Sequence, residues 1–331
     1  MKALITGGGG FLGSHLTEAW LARGGQAIVL DDFSTGRESN LASCRRNARL
    51  EVVRGSALDA PLVAQLVKEA EIVFHFAAAV GVRLVIREPT RTLETNFCGA
   101  QTVLDACARL GRKVLLASTS EVYGKGTGAA FTEDSDLILG APIVGRWGYA
   151  CSKAMAEFYA FAQAKRGGLR FVVARYFNVV GARQTADYGM VLPRFVRQAL
   201  DGTPLTVFGN GSQTRSFTHV ADAVEATLRL ASTPAAEGTI VNVGNPEPLS
   251  VLDLAKRVIR LANSPSTIAH VDPRASYDQD FADMPSRAPD ISRLEKLTGF
   301  RPRRTVDAAI RDLLAEAREK TGENSAAERE G

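Results

Sequence analysis

The sequence predicts an α/β fold, with a doubly wound parallel sheet in the first part of the chain and a smaller mixed α/β lobe after it. Three observations support this fold class. Short apolar segments alternate with longer amphipathic ones up to about residue 175, a glycine-rich turn separates the first two segments, and the alternation stops after residue 176. Strands that alternate with helices are joined by right-handed crossovers, which place helices on both faces of a parallel sheet.

The composition is that of an ordinary globular protein. The chain has 331 residues, of which 45% are hydrophobic and 23% charged. The net charge is only +4 and the basic clusters are short, so no nucleic-acid partner is expected. No apolar run has the ~18 residues of a membrane span, and we expect no membrane contact. The four scattered cysteines lack metal-ligand spacing, which predicts reduced thiols in a cytoplasmic protein without a metal site.

Six strands and four helices are predicted in the first part of the chain. The unbroken apolar run from Val114 to Ala117 is typical of a strand that is buried on both faces. The predicted strands are Lys2–Thr6, Gln26–Asp31, Leu50–Arg54, Ile72–Phe76, Lys113–Ser118 and Leu169–Ala174, and the predicted helices cover residues 11–23, 60–69, 90–110 and 148–165.

The glycine-rich turn directly follows the first predicted strand and directly precedes the first helix. Gly7, Gly10 and Gly13 have the spacing that permits a tight turn, a close approach of the backbone to a pyrophosphate, and close packing of helix on sheet. Asp31 ends the second strand, where a carboxylate binds a ribose 2′-hydroxyl and repels the 2′-phosphate of NADP. The pattern therefore predicts a Rossmann-type domain that binds NAD, although Arg37 could neutralise a 2′-phosphate.

The second part of the chain has a different order of strands and helices and does not repeat the nucleotide-binding motif. Its predicted strands, Leu205–Phe208 and Ile240–Val243, lie among loops rich in Gly, Asn and Pro. The predicted helices cover residues 190–200, 220–232, 250–262 and 306–317. We therefore divide the chain into an NAD-binding domain (1–175), a substrate-binding lobe (176–318) and a charged, mobile tail (319–331).

A tyrosine and a lysine at helical spacing are the predicted catalytic pair. Tyr149 and Lys153 are four residues apart, which places both side chains on one face of a helix. A nearby ammonium group favours the phenolate form of a tyrosine, whose pKa is normally near 10. The hydroxyl groups of Ser118, Thr119 and Ser120 end the fifth strand, at the edge where such sheets bind ligands.

These motifs together resemble the extended short-chain dehydrogenase/reductase family, in particular its nucleotide-sugar epimerases, dehydratases and decarboxylases. The segments that carry the resemblance are TGGGGFLG, Asp31, STSEVYG and YACSK. The resemblance implies that Tyr149 is the catalytic base, that Lys153 is its partner, and that Thr119 hydrogen-bonds the reacting sugar oxygen. Ser120 and Glu121 join the catalytic group by the same resemblance, and Asn96 matches an asparagine that supports the active-site helix.

The resemblance also assigns the cofactor and substrate contacts. One departure is Gly55-Ser56-Ala57, where the family usually has an aspartate, so a carboxylate contact with adenine is not expected. The implied NAD contacts, besides the three glycines, Asp31, Tyr149 and Lys153, are Phe11, Leu12, Asp32, Ser34, Thr35, Ser56, Ala57, Phe76, Ala77, Ala78, Asn96, Ser118 and Tyr176. The implied contacts with a uridine diphosphate sugar are Asn178, Val191, Thr206, Val207, Phe208, Arg215 and Arg287.

Two reactions remain open at this point. We expect a UDP-sugar 4-epimerase, which oxidises C4 transiently and reduces it from the opposite face. The alternative is a UDP-glucuronate decarboxylase or another dehydratase, because Glu121, Arg287, residues 146–149 and the stretch Tyr277–Asp283 resemble those of uronate decarboxylases. Residues 187–193 count against a decarboxylase, since they lack the arginine of xylose-forming relatives. A non-catalytic NAD-binding scaffold is a remote alternative, because such proteins typically lose the tyrosine or the lysine.

The helices at 90–110 and 148–165 carry more apolar residues than one buried face needs. Their apolar side chains include Phe97, Val103, Leu104, Phe158 and Phe161. In the family that the chain resembles, the corresponding helices pair across a two-fold axis into a four-helix bundle. The resemblance therefore implies a homodimer.

Overall fold

A seven-stranded parallel sheet carries the active-site residues at its carboxyl edge. A computed structural model describes residues 1–126, 130–187, 189–272 and 286–327 of the chain. Its strands are β1 Lys2–Thr6, β2 Gln26–Asp31, β3 Leu50–Arg54, β4 Ile72–His75, β5 Lys113–Thr119, β6 Arg170–Tyr176, β7 Val179–Val180, β8 Leu205–Phe208, β9 Thr214–Ser216, β10 Thr218–His219, β11 Thr239–Val243, β12 Pro248–Ser250, β13 Ile268–Val271 and β14 Ser286–Arg287. The order in the large sheet is β3-β2-β1-β4-β5-β6-β11, which reverses direction between β1 and β4. The predicted doubly wound fold is confirmed.

Helices cover both faces of this sheet. They are α1 Phe11–Ala22, α2 Ala60–Glu69, α3 Val82–Arg87, α4 Pro89–Leu93, α5 Gly99–Leu110, α6 Arg146–Lys165, α7 Val191–Leu200, α8 Val220–Ser232, α9 Val251–Ala262, α10 Ser292–Thr298 and α11 Val306–Ala327. Helices α1 and α8 bury their apolar side chains against one face, and α2, α5 and α6 against the other. The sheet is therefore buried on both sides, which explains the continuous apolar character of its strands.

The predicted strands of the first part agree closely with the observed ones. Strands β1, β2 and β3 have the predicted bounds, and β4, β5 and β6 differ by at most two residues at an end. Buried apolar runs that end in turn residues define a strand locally, so the sequence is sufficient to place them.

The helix predicted over residues 90–110 is not continuous. The chain forms α4, then a π-helical turn over Glu94–Cys98, and then α5. Within this turn the side chain of Asn96 is fully buried and exchanges two hydrogen bonds with the backbone of Ala79, at 2.7 and 3.1 Å. A π turn inserts one residue into the helical ladder, and here it allows Asn96 to hold the loop that follows β4.

The predicted boundary at residue 175 needs correction. Strand β11, expected in the second lobe, pairs in parallel with β6 at the edge of the large sheet. Helix α8, from the same part of the chain, packs on that sheet and not on the second lobe. A single sequence cannot show that a strand returns to a sheet more than 60 residues after leaving it, because the pattern of a buried strand is the same in either lobe.

The second lobe has its own small core. Helices α7, α9 and α11 enclose it together with β8 and β13, which form a parallel pair. The last helix extends to Ala327, well past its predicted end at residue 317, so most of the predicted tail is helical; residues 328–331 lie outside the described ranges. In the parts that the structure describes, no helix is long and apolar enough to cross a membrane. The described residues also contain no group of three or more His, Cys, Asp or Glu side chains that could hold a metal ion.

A buried ion pair joins helix α6 to strand β6 of the sheet. Arg175 on β6 and Glu157 on α6 are each only 3% exposed, and their closest atoms, Nη2 and Oε2, are 2.6 Å apart. A second contact joins Nε and Oε1 at 3.0 Å, and the hydroxyl of Ser118 on β5 donates to the same carboxylate. One carboxylate therefore joins helix α6, which carries Tyr149 and Lys153, to strands β5 and β6.

Because the pair is buried, the loss of one partner leaves a charge without compensation. We expect Glu157→Gln to lower the free energy of unfolding by roughly 3 kcal/mol, measured by urea denaturation. The double substitution Glu157→Leu/Arg175→Met should recover most of this loss. As a matched control, Glu225→Gln on α8 removes a partly exposed carboxylate that pairs with Arg229 and Arg23, both close to half exposed, and should cost less than about 1 kcal/mol. A loss below 1 kcal/mol for Glu157→Gln would contradict the structural importance of this pair.

Candidate active site

The predicted cofactor, catalytic and substrate residues converge on one cavity of about 530 Å³. The cavity runs along the carboxyl ends of β1, β2, β4 and β5 and continues beneath the second lobe. Ligands of open α/β sheets bind in this position, outside the strand ends where the strand order reverses. Most of the predicted site residues line it: Gly7, Gly10, Phe11, Leu12, Gly13, Asp31, Asp32, Ser34, Thr35, Ser56, Ala57, Phe76, Ala77, Ala78, Ser118, Thr119, Ser120, Glu121, Tyr149, Lys153, Tyr176, Asn178, Val191, Phe208, Arg215 and Arg287.

The glycine-rich turn fits a dinucleotide phosphate group. Gly7 has a φ of +73°, and a Cβ on Gly13 would lie 2.2 Å from the carbonyl oxygen of Gly7, so neither position tolerates a side chain. Asp31 accepts hydrogen bonds from the backbone N–H groups of Gly9 and Phe33, both at 2.8 Å. Burial raises the pKa of Asp31, and these two N–H groups oppose that rise. The carboxylate therefore helps to shape the turn as well as facing the cavity.

These residues can hold NAD. Arg37, the residue that could favour NADP instead, is paired with another side chain. The first N–H groups of α1 face the cavity at the glycine turn, as required for binding a pyrophosphate. Arg37, which could have neutralised the 2′-phosphate of NADP, forms an ion pair with Asp187 across the cavity mouth, at 3.2 Å. Asn96 is the exception among the predicted NAD contacts: it lies behind the cavity wall and supports Ala79.

Tyr149 and Lys153 lie on the face of α6 that looks into the cavity. The ammonium group of Lys153 donates to the carbonyl oxygen of Ala117, at 2.9 Å, near the end of β5. Burial lowers the pKa of Lys153 to about 8, and the carboxylate of Glu157 opposes that fall. Burial raises the pKa of Tyr149, the nearby Glu121 adds to the rise, and a hydrogen bond with Thr119 opposes it. The protein alone thus keeps Tyr149 protonated, with the hydroxyl group of Thr119 beside it.

A carboxylate held by two arginines lies next to this pair. Glu121 is bound by Arg146 on α6, whose Nη2 is 2.9 Å from Oε2 and whose Nε is 3.2 Å from the same oxygen. Its other oxygen accepts from Arg287, and Arg287 also donates to the side chain of Asn178, at 2.8 Å. Burial alone would raise the pKa of Glu121, but Arg287 and Arg146 lower it to about 2. The carboxylate is therefore ionised at any physiological pH.

The far end of the cavity carries an aromatic ring and cationic groups. The guanidinium group of Arg194 lies 4.7 Å from the centre of the Phe208 ring, and Arg215 is 8% exposed at the cavity wall. Thr206 and Val207 do not line the cavity: Val207 is packed in the core of the second lobe, and the Thr206 hydroxyl accepts from Gln198. Val207 lies on the opposite face of β8 from Phe208, because side chains alternate along a strand. Thr206 shares the face of Phe208 but is bonded to Gln198, so the predicted contacts on β8 reduce to Phe208.

Arg146 and Arg194 are among the arginines that line this cavity and were not predicted as site residues. Arg146 precedes Tyr149 by one turn of α6, and Arg194 follows a proline in α7. Arg146 could have been predicted from the sequence, because it lies three residues before Tyr149 and so on the same face of the helix. Only the packing of α7 against β8 brings Arg194 to Phe208. The acidic stretch Tyr277–Asp283 lies outside the described residues.

Comparison with known proteins decides the family. Residues 3–244 match the model of the NAD dependent epimerase/dehydratase family. The chain belongs to this family. The resemblance to extended short-chain dehydrogenases/reductases and the expected dependence on NAD are thereby confirmed.

Among sequenced members of the epimerase/dehydratase family, similar proteins are decarboxylases. A UDP-N-acetyl-alpha-D-glucosaminuronate decarboxylase of Bacillus cytotoxicus is 38% identical over 319 residues, which are 96% of this chain and 98% of that protein. UDP-glucuronic acid decarboxylase 1 of Danio rerio is 36% identical over 301 residues, which are 91% of this chain and 69% of that protein.

Solved structures that are similar to this chain include 4-epimerases. The UDP-glucose 4-epimerase of Thermotoga maritima superposes with a TM-score of 0.87 at 26% identity, over 97% of this chain and all of that one. The UDP-glucuronic acid 4-epimerase of Bacillus cereus, crystallised with UDP-glucuronic acid and NAD, has a TM-score of 0.87 at 28% identity, over 96% and 99%. The comparisons establish a nucleotide-sugar enzyme of this family but leave its specific reaction undecided.

Because Tyr149 lies in the cavity beside Thr119, we expect its removal to abolish the reaction. We expect Tyr149→Phe to reduce turnover of a UDP-sugar by a factor of about 10² or more, because the base is lost while its volume remains. The NAD content of the purified variant should not change. Tyr159→Phe is the matched control, since that phenol lies on the same helix and donates to Asp105. A Tyr149→Phe variant that kept more than a tenth of the wild-type rate would show that another group is the base.

Proposed function

We propose that the protein is an NAD-dependent decarboxylase of a UDP-hexuronate. The observation that carries this proposal is the buried guanidinium group of Arg287. This side chain is only 6% exposed, lines the cavity, and donates to Glu121 and to Asn178. Arginine cannot lose its proton under physiological conditions. A sugar with a carboxylate at C6 can form a charge-assisted pair with this group, which a neutral hexose cannot.

The residues around Tyr149 are suited to the first step of the reaction. Tyr149, once ionised, takes the proton of the C4 hydroxyl, while Thr119 hydrogen-bonds the same oxygen and Lys153 stabilises the phenolate. Bound NAD supplies the hydride acceptor for C4 and later returns the hydride. Oxidation at C4 turns the hexuronate into a β-keto acid, in which the C5–C6 bond is weakened.

Loss of carbon dioxide then needs no further redox partner. The C5–C6 bond breaks, its electron pair moves toward the C4 carbonyl to form an enolate, and C5 takes a proton from solvent. Reduction at C4 completes a UDP-pentose. In this proposal Arg287 binds the C6 carboxylate through a charge-assisted pair. Its second contact, with Asn178, holds the guanidinium group at the sugar end when Glu121 gives way to the substrate.

The relatives that share more than a third of their residues with this chain support the same reaction. Both of those described above are named as decarboxylases of UDP-uronates, one with an N-acetyl group on the sugar and one without. We extend this chemistry to the chain as a class, a UDP-hexuronate. The first expectation, a 4-epimerase, becomes the second candidate. It is favoured by the likeness to the Bacillus cereus enzyme, whose ligand is also anionic.

The two candidates differ in their products. We expect holoenzyme incubated with UDP-glucuronate or its 2-acetamido counterpart to release one carbon dioxide per sugar and to form a UDP-pentose, detected by mass spectrometry. Arg287→Ala should lose nearly all of this activity, because the C6 carboxylate loses its cation. Arg293→Ala, which removes an arginine from the surface pair with Asp134, is the matched control. A six-carbon product with inverted C4 would favour the epimerase.

We also propose that the protein is a homodimer that works in the reducing cytoplasm. Helix α6 exposes Phe158 and Met155, at 69% and 43%, and Leu93 of α4 is 43% exposed as well. Of the apolar residues that suggested an interface, Val103 and Leu104 do not belong to it, because they are fully buried in the core. Exposed apolar side chains on neighbouring helices suit an isologous contact. All four cysteines are free thiols.

Light scattering at micromolar concentration should give the mass of a dimer. We expect Phe158→Arg to shift the protein toward the monomer, because a charge in the middle of an apolar contact is not compensated. Val52→Arg, which changes an exposed apolar residue on β3, should leave the mass unchanged. A monomeric wild-type protein would refute the proposed dimer.

A further inference from the structure

We infer that Arg175 is a positioning residue for the catalytic pair: by binding Glu157, it keeps that carboxylate from capturing the ammonium group of Lys153. The inference rests on the first step of the proposed function, in which Tyr149 removes a proton, and not on whether carbon dioxide is lost. Arg175 is not among the described residues that line the cavity. Its effect on the reaction therefore passes through Glu157 and Lys153.

Lys153 and Glu157 have the spacing of an ion pair. They are four residues apart on α6 and each is only 3% exposed, so both side chains point from one face of the helix into the protein. The ammonium group of Lys153 lies at the carbonyl oxygen of Ala117, and Glu157 accepts from the hydroxyl of Ser118, the next residue of β5. The two opposite charges therefore reach neighbouring positions of one strand.

Arg175 offers Glu157 a better set of contacts than an ammonium group can. Its guanidinium group makes three contacts with the two carboxylate oxygens, between 2.6 and 3.2 Å. This planar, two-pronged arrangement is specific to arginine. Because Arg175 neutralises Glu157, the charge of Lys153 stays available to stabilise the phenolate of Tyr149.

Removal of either partner changes the charge near Lys153, but with opposite signs. Arg175→Met leaves a buried carboxylate one helical turn from Lys153, and such a charge raises the pKa of nearby phenol and ammonium groups. Glu157→Gln leaves a buried guanidinium group, which lowers the pKa of the same groups. Both variants lose stability, since each leaves one buried charge unpaired. An electrostatic role thus predicts opposite effects on the reaction, and a structural role predicts the same loss in both.

Other charged or titratable side chains around Tyr149 and Lys153 stay the same in this comparison. They come from the start of α6, the turn after β5, β4, β14 and α4, and they are Arg146, Glu121, His75, Arg287 and Arg91. A difference between the two variants therefore reports the charge of the Glu157–Arg175 pair.

The groups that face Arg175 itself are also unchanged. Its guanidinium group lies 4.6 Å from the centre of the Tyr123 ring and donates to the backbone carbonyl of Glu133, at 3.4 Å. On the side of α5, Asp105 accepts from Tyr159, farther along α6 than Lys153.

The pH dependence of the reaction distinguishes the two roles. We measure kcat/KM for UDP-glucuronate as consumption of the sugar by NAD-saturated protein, so that either product counts. The rate rises with pH as Tyr149 ionises. We expect Arg175→Met to move this rise to higher pH by about one unit and Glu157→Gln to move it to lower pH by about one unit. In Glu157→Leu/Arg175→Met the rise should return close to its wild-type position.

Two controls separate charge from packing. Arg170→Met removes an arginine of the same strand that binds Glu237 through two contacts, at 2.9 and 3.0 Å, and it should leave the pH profile unchanged. Arg175→Lys keeps a cation beside Glu157 and should shift the profile less than Arg175→Met. If the two single variants shift the profile in the same direction, or not at all, the pair is only structural and the inference is wrong.

A second measurement does not depend on turnover. The ionisation of Tyr149 in NAD-bound protein is followed by the ultraviolet absorbance of its phenolate, as the difference from Tyr149→Phe. The same opposite shifts are expected here. If the single variants do not fold, Ser118→Ala decides, because it removes one donor from Glu157 and keeps the ion pair. It should raise the pKa of Tyr149, by less than a unit; an unchanged or lower pKa would then overturn the inference.

The failure of the inference differs from the failure of the proposed function. If the wild-type protein consumes neither UDP-glucuronate nor its 2-acetamido counterpart, the proposed function is wrong, and the phenolate titration still decides the role of Arg175. If it consumes UDP-glucuronate and the two single variants show no opposite shifts, only the role assigned to Arg175 is wrong.

Discussion

The buried ion pair between Glu157 and Arg175 determines the geometry of the active site. It fixes helix α6, which carries Tyr149 and Lys153, against strands β5 and β6 of the sheet. The same carboxylate accepts from the hydroxyl of Ser118, the residue before Thr119. Ser118 is also the residue of β5 that pairs with Arg175 of β6 in the sheet. Tyr149 and Thr119 are therefore positioned by one interaction that solvent does not weaken.

The sugar end of the cavity follows from the same arrangement. Helix α6 begins at Arg146, and β5 is followed directly by a short turn that contains Glu121, so the position of the helix brings these two side chains together. The second lobe adds Asn178 after β6 and Arg287 on β14. The catalytic end and the sugar end thus share their supporting elements. Arg287 and Tyr149 line the same cavity, as the proposed loss of carbon dioxide from a 4-keto acid requires.

Much of the fold could be predicted because its determinants are local. The bounds of β1, β2 and β3 follow from apolar runs between turn residues, and Gly7 and Gly13 are required by backbone conformation and by close packing. The spacing of Tyr149 and Lys153 places both on one helix face. These features depend on residues that are neighbours in sequence, where pattern and propensity are informative.

The errors lie where contacts between distant segments decide the structure. The π-helical turn at Glu94–Cys98 exists because Asn96 reaches the backbone of Ala79, and β11 joins the sheet by pairing with β6. Neither contact leaves a local pattern. The contacts of Glu121 are similar, because they join it to Arg146 and to Arg287, which lies more than 100 residues further along the chain. The sequence alone leaves epimerase and decarboxylase open for the same reason.

The central claim is that the C4-oxidised intermediate loses carbon dioxide before it is reduced. The most direct measurement is the reaction of holoenzyme with UDP-glucuronate in D₂O, followed by NMR of the product. The account predicts a UDP-pentose that carries one deuterium at C5, placed there by the proton that replaces the carboxylate, and ordinary hydrogen at C4. A six-carbon UDP-uronate with inverted C4 and no deuterium at C5 would contradict it.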